Sequence, residues 1–242
     1  MTNEELTEQL ALDLGLGDVF TRRMPYAKEV FKKFDLDLLP HSSEDTCLGE
    51  IYENSGRNWR TTNNNLVGFV ATPESMAGLM AQLSAVQRMN ANIPDFEFTK
   101  DDLVGVGVEI PKFLNFKLKG NVSSAKDIRV TMTGVKKARL TNTSQPGTEL
   151  ARLVSEYAEN HTKKYRQHIK HDHIAVSLFY VEQMELVMEK HDGVNLDVGV
   201  EIDGVPLNAS VETSSEKKYK LSYNGNGSLP FAATFVRGKE LF

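Results

Sequence analysis

Cysteine is almost absent. Among 242 residues only Cys47 carries a thiol, so no disulfide forms within the chain, and a reducing compartment is the simple reading. Long apolar runs are missing too: nothing approaches the ~18 uninterrupted residues that a membrane-spanning helix requires. The opening MTNEELTEQL is polar and acidic, unlike a secretory signal. No G-x-S-x-G occurs, and Cys47 has no recognisable partner context for an activated nucleophile. The glycines of GVGVEIPKFL sit inside a strand pattern with no helix after them, which argues against a phosphate-binding loop. Phe113, Phe116 and Tyr165 lie among basic residues, but no RNA-binding signature accompanies them. These absences rank enzymes and nucleic-acid binders low and imply no cofactor.

Histidines gather in one place. HTKKYRQHIKHDH holds His161, His168, His171 and His173. His168-x-x-His171 is a usable metal spacing on a helix, and Asp172 could add an oxygen. The helix should end there, however, and the neighbouring lysines and arginines oppose a cation. A basic helix end at the surface is the better reading, with no metal.

The rest of the composition is that of a globular chain, 40% apolar and 25% charged. The net charge of −5 is unevenly spread: residues 111–170 carry 13 Lys or Arg against 4 Asp or Glu, whereas 182–216 carry nine acids and one Lys. This spread suggests surfaces of opposite sign, which on charge alone read first as a solvated polar surface with no partner and second as a contact with something anionic, such as lipid or nucleic acid.

Two long alternating segments stand out. In LVGVGVEIPKFLNFKLKG (103–120), Val104, Val106, Val108 and Ile110 alternate with Gly105, Gly107 and Glu109. In LDVGVEIDGVPLNASV (196–211), Leu196, Val198, Val200 and Ile202 do the same, and GVEI occurs in both. Period-two alternation predicts strands with one apolar face. Further strands are predicted at 35–39, around the turn Asn54-Ser55-Gly56, at 96–98, 113–120 and 127–134, in HIAVSLFYV and QMELVMEKHDG, in YKLSY, and in LPFAATFVR. Helical spacing predicts a short acidic helix within 4–14, one after Pro25 in YAKEVFKKF, one over 73–90 and the longest over 148–170. Helices between groups of strands predict an α+β fold: a large, twisted, mostly antiparallel sheet with packed helices.

The closing segment from His173, with LPFAATFVRGKEL and its Phe231, Phe235, Val236 and Arg237, resembles the end of the gasdermin pore-forming domain. The early segment KEVFKKFDLDLLPHSSEDTCLGEIYENSGRNW is similar to bacterial gasdermins, as is the helix 148–170 between two alternating blocks. The resemblance covers roughly residues 25–242, leaving 1–24 as a helical N-terminal extension. It implies a microbial cell-death or antiviral defence effector, not an enzyme, cytoplasmic when inactive and at the cell membrane when active. Two regions, about 103–135 and 173–221, would lengthen into two β-hairpins per subunit, and many subunits would close into a transmembrane barrel. Val104, Val106, Val108, Ile110, Ile128, Val130, Leu196, Val198, Val200 and Ile202 are then the membrane-inserting residues, with Glu109, Asp197 and Glu201 towards water. Acidic lipid would meet Arg22, Arg23, Lys28, Lys32 and Lys33, with Lys136, Lys137 and Arg139 as a second group.

Two departures bear on control. Bacterial members typically carry a lipidated cysteine in the first few residues, and residues 1–24 hold none. They also end in an inhibitory peptide that a protease removes, whereas Phe242 follows directly on the expected last strand. Either the sequence is a trimmed active form released by an activating protease, or inhibition works differently, with the acidic segment 1–20, a partner or a dimer contact holding the inactive state. The alternative is a soluble α+β binding or scaffold protein in which the same alternation lines a half-buried sheet.

Overall fold

The computed structural model describes residues 27–40, 46–54, 59–99, 116–119, 125–190, 199–202, 209–215, 218–224 and 230–241. Its axis is one strand. HIAVSLFYV and QMELVMEK, which read as two elements, form a single 18-residue strand, β8 (His173–Lys190). β-Branched and aromatic residues fill its first part and a period-two pattern its second, so nothing in between breaks it.

Neighbours change along β8. β12 (Pro230–Arg237) pairs with its residues 173–180, and β11 (Lys218–Asn224) with 183–189. On the other edge, β2 (Glu50–Asn54) meets Ile174 and His173, and the 15-residue β7 (Ala125–Arg139) pairs along 177–190. The sheet is completed by β1 (Asp37–Leu38) on β12, β3 (Trp59–Asn65) on β2, β4 (Met89–Asn90) and β5 (Phe96–Thr99) on β7, and β10 (Ala209–Ser215) on β11. All ten strands pair antiparallel. β6 (Phe116–Lys119) and β9 (Gly199–Ile202) form a separate antiparallel pair. The architecture is the α+β class with a large antiparallel sheet that the sequence predicts.

Helices cover the first half of β8. Asn65 caps α2 (Leu66–Val70): its Oδ1 accepts from the Val67 N–H at 3.0 Å, while its amide donates to the Leu48 carbonyl at 3.1 Å. Pro73 opens α3 (Pro73–Ser84), and the Ser144 hydroxyl accepts from the Gly147 N–H at the start of α4 (Gln145–Asn160). Gly147 is required there, because a Cβ would lie 1.9 Å from the Thr141 carbonyl oxygen. Leu66, Val67, Leu79, Leu83, Leu150 and Val154 form one core with Ile174, Leu178 and Tyr180 of β8.

Two helix boundaries differ from expectation. The helix expected over 148–170 breaks at His161, whose φ of −131° and ψ of 45° separate α4 from α5 (Thr162–His168); Asn160, His161 and Thr162 are three successive weak helix formers. The helix expected over 73–90 stops at Ser84. Beyond it Met89 and Asn90 pair with Lys137 and Lys136 of β7, so sheet pairing overrides local helical spacing.

Candidate membrane-facing sheet

Beyond residue 182 the sheet becomes two-faced. Ile128, Val130 and Met132 of β7 stand opposite Met188, Leu186 and Met184 of β8, and Phe96 and Phe98 of β5 stand opposite Met132 and Val130. Phe96, Phe98, Ile128, Val130, Met132, Met184 and Leu186 are all buried. On β11, Tyr223, Leu221 and Tyr219 continue the same rows. Except for the half-buried Val187, the intervening positions are polar and wetter: Asp127, Arg129, Thr131 and Thr133 on β7, Gln183 and Glu185 on β8, Lys220 and Ser222 on β11. Ion pairs tie this outer face, Arg129 to Asp127 at 3.0 Å and Lys220 to Glu185 at 2.8 Å. Exposed pairs of this kind contribute at most about 1 kcal/mol, so the buried rows fix the register.

α1 (Ala27–Phe34) packs on the β5 end of the buried rows and on Phe231 of β12. Phe31 meets Phe96, Phe98 and Phe231 edge-on or tilted, with centroids 5.5–6.3 Å apart. Such aromatic pairs add about 0.5–1.5 kcal/mol each beyond burial. The helix ends on Asp35 at φ 52°, where the Leu36 N–H donates to the Phe31 carbonyl at 3.0 Å, a left-handed helix stop that aspartate tolerates.

The two regimes of the sheet meet at Gly134. Its φ is +68°, and a Cβ there would lie 2.5 Å from Oε2 of Glu182 on the facing strand. Its N–H donates to Oδ1 of Asp95 at 3.2 Å. Cations gather round the same junction. Lys136 pairs with Glu182. Lys137 lies 5.0 Å from the centroid of Phe179, and Arg88 4.1 Å from that of Tyr180. Desolvation, then the neighbouring Arg139, holds the Lys137 ammonium below its ordinary pKa.

The sequence-predicted residues fall into three groups. Val104, Val106, Val108, Ile110, Leu196, Val198, Arg22 and Arg23 lie outside the described residues. Ile128 and Val130 are on the buried face, and Val200 and Ile202 are in β9. Of the cations, Lys28, Lys32 and Lys33 are on α1, with Lys32 and Lys33 exposed. Lys33 sits 5.4 Å from the ring of Phe34. Lys136 and Lys137 engage β8, while Arg139 is exposed. The structure brings together a face that the predicted residues name only in part. Met132, Met184, Leu186 and the covering Phe31 belong to it, and the alternation of QMELVMEK is the signal that points to the β8 members.

The histidines do not converge. His168 stacks on Phe69 at 5.5 Å and His173 meets Trp59 at 4.9 Å. Among the described residues no group of three or more His, Cys, Asp or Glu is placed to hold a metal ion. A polar groove of about 380 Å³ runs beside His168, with Glu53, Arg60, Asn64 and Asp172 in its walls. Burial, then Glu53, raises the pKa of Asp172. Among the described residues no helix is long and apolar enough to cross a membrane, which says nothing of strands.

No family model matches the chain, and no curated protein does. Among solved structures the chain is similar to one described as a bacterial gasdermin from Bradyrhizobium tropiciagri. The identity is 9%, the alignment covers 86% of this chain and 83% of that one, and the TM-score is 0.42. A likeness of that degree is a structural similarity and carries no functional weight here.

Proposed function

We propose that this protein is a pore-forming effector of membranes, in which the two-faced sheet supplies transmembrane strands to a closed, homo-oligomeric β-barrel. The observation that supports the reading is the in-register ladder β5–β7–β8–β11, with buried apolar rows on one face and ion-paired polar rows on the other. A membrane strand needs ~9–11 residues with one face for lipid and one for water. The two-faced stretches of β7 (125–133) and β8 (183–190) hold nine and eight residues, so insertion would have to lengthen the second of them. In lipid the apolar rows would exchange α1 for acyl chains, and Asp127, Arg129, Glu185 and Lys220 would face the lumen. No open edge survives in a bilayer, so strands must close through neighbouring subunits. Among the described residues β10 pairs only with β11, leaving an edge that a second copy would complete. Exposed Lys32, Lys33 and Arg139 would draw the protein to acidic lipid, at up to ~1 kcal/mol each. The resemblance of the sequence to the gasdermin pore-forming domain supports the same reading, and with it a role in microbial cell death and defence without catalysis.

Dye release from acidic liposomes tests it, with the parent beside a Val106→Asp, Val200→Asp double variant. Release by the parent and none by the variant is the expected result. A parent that neither releases dye nor forms rings, before and after limited proteolysis, would instead be a soluble binding or scaffold protein.

A further inference from the structure

The polar groove beside His168 lies near the start of β8, away from its two-faced stretch. Its volume of about 380 Å³ falls in the range of small-molecule sites. Three parts of the fold meet there: the β2–β3 hairpin, α2 through Phe69, and the end of α5 with the turn into β8. The hairpin is irregular at this point. Ile51 pairs with Asn64 but Tyr52 pairs with Thr61, so Thr62 and Asn63 are extra residues on β3. A bulge of this kind bends its strand and re-aims the side chains. The Thr62 hydroxyl turns back to donate to the Ile51 carbonyl at 2.8 Å, and Asn64 lines the groove.

The walls hold acceptors that no protein donor fills. Among the described residues neither Glu53 nor Asp172 has an ion pair or a side-chain hydrogen bond, although Arg60 stands opposite Glu53 in the hairpin register. The Asn64 amide nitrogen donates to the Thr62 carbonyl at 3.2 Å, which leaves its Oδ1 to accept. Asp172 is half-buried. Burial first and the charge of Glu53 second raise its pKa, against His168, His173 and His171, and Arg60 is not among the groups that act on it. Two carboxylates from separate elements thus face one space. The stacked rings of Phe69 and His168 give that space an apolar wall. Among the described residues no three ligating side chains converge, which argues against a metal ion.

We propose that the groove binds a small organic cation, in its simplest form a short alkyl diamine, whose ammonium groups meet Glu53, Asp172 and Asn64 Oδ1 while its methylenes lie on Phe69 and His168. A bound diamine would clamp the β2–β3 hairpin to the turn that starts β8 and so stabilise the helix-covered half. The site stands whether or not the sheet inserts into lipid.

Isothermal titration calorimetry of the full chain with 1,4-diaminobutane is the test, with butane-1,4-diol and magnesium chloride at matched ionic strength alongside. The diamine should bind, and at about ten times its dissociation constant it should raise the thermal midpoint by about 3–6 °C. The diol has the same length without the charge, and neither it nor magnesium should do so. Glu53→Gln and Asp172→Asn should each weaken the diamine by about tenfold or more. Glu53 is exposed, so Glu53→Gln keeps the fold and decides the matter if Asp172→Asn lowers the midpoint by itself. No heat from the diamine overturns the proposal. So does an equal response to magnesium, equal binding of the diol, or undiminished binding of the diamine by Glu53→Gln.

Discussion

The two halves of β8 are built on opposite principles. From Ile174 to Val181 almost every side chain is buried, whichever way it points, and helices cover one face. From Gln183 onward only alternate residues, Met184 and Leu186, are buried, and the row between them stays wet. One continuous strand is therefore a fixed core element at one end and a two-faced, replaceable element at the other. Stability and membrane activity should separate along it, with Gly134 and Glu182 at the boundary.

The sharpest test of the first half is Leu178→Ala. Leu178 is fully buried in the main core, and such truncations cost about 2–5 kcal/mol. At roughly 2–4 °C per kcal/mol for a chain of this size, the thermal midpoint should drop by around 10 °C. A drop comparable to that of a surface variant would mean that the helix-covered half is not the stable core. Gly134→Ala acts at the boundary and should cost less, about 1–3 kcal/mol, because alanine must adopt a positive φ and push Glu182 aside. Unfolding in urea measures it, and an unchanged or raised midpoint would show that neither the positive φ nor the close approach of Glu182 constrains this position. Glu185→Gln should cost the least of the three. It removes an ion pair with Lys220 whose side chains are 42% and 35% exposed, and at most about 1 kcal/mol should follow. A loss matching that of Leu178→Ala would contradict the division of β8 into a core half and a wet half.

Much of this division was legible in the residues. The alternation of Met184, Leu186 and Met188, and of Ile128 and Val130, states which positions share a face, and the structure buries those whose side chains it describes. Alternation cannot state which strand lies opposite. The pairing of Phe116–Lys119 with Gly199–Ile202, across the two similar blocks, is set by the fold around them. Phe31 was readable as one residue of an apolar helix face, but its partners Phe96, Phe98 and Phe231 lie far off in sequence. The positive φ of Gly134 was equally hidden, since glycine within a strand signals a bulge, a bend or a close approach without choosing among them. Among the cations, sequence marks charge but not engagement: Lys136 and Lys137 are occupied by Glu182 and Phe179, while Lys32 and Lys33 are exposed.

The smallest effect expected lies at the buried end of the comparison and depends on pH. Asp37 sits on β1, beside β12, in register with Ala233. Burial raises its pKa above 3.8, a hydrogen bond from Trp59 partly offsets this, and Asp35 adds to the rise. A carboxyl with a raised folded-state pKa binds its proton more tightly folded than unfolded, so its charge disfavours the fold at neutral pH. That penalty fades as pH falls through the folded-state value towards 3.8. Asp37→Asn keeps an acceptor for Trp59 and removes the charge. The variant should therefore be more stable than the parent at pH 7, and the gap should close as the pH approaches 4. Denaturant midpoints at several pH values would show this convergence. A gap that widened towards acid would mean that Asp37 is stabilised by its surroundings as a carboxylate, and that this end of the sheet is less apolar than its burial indicates.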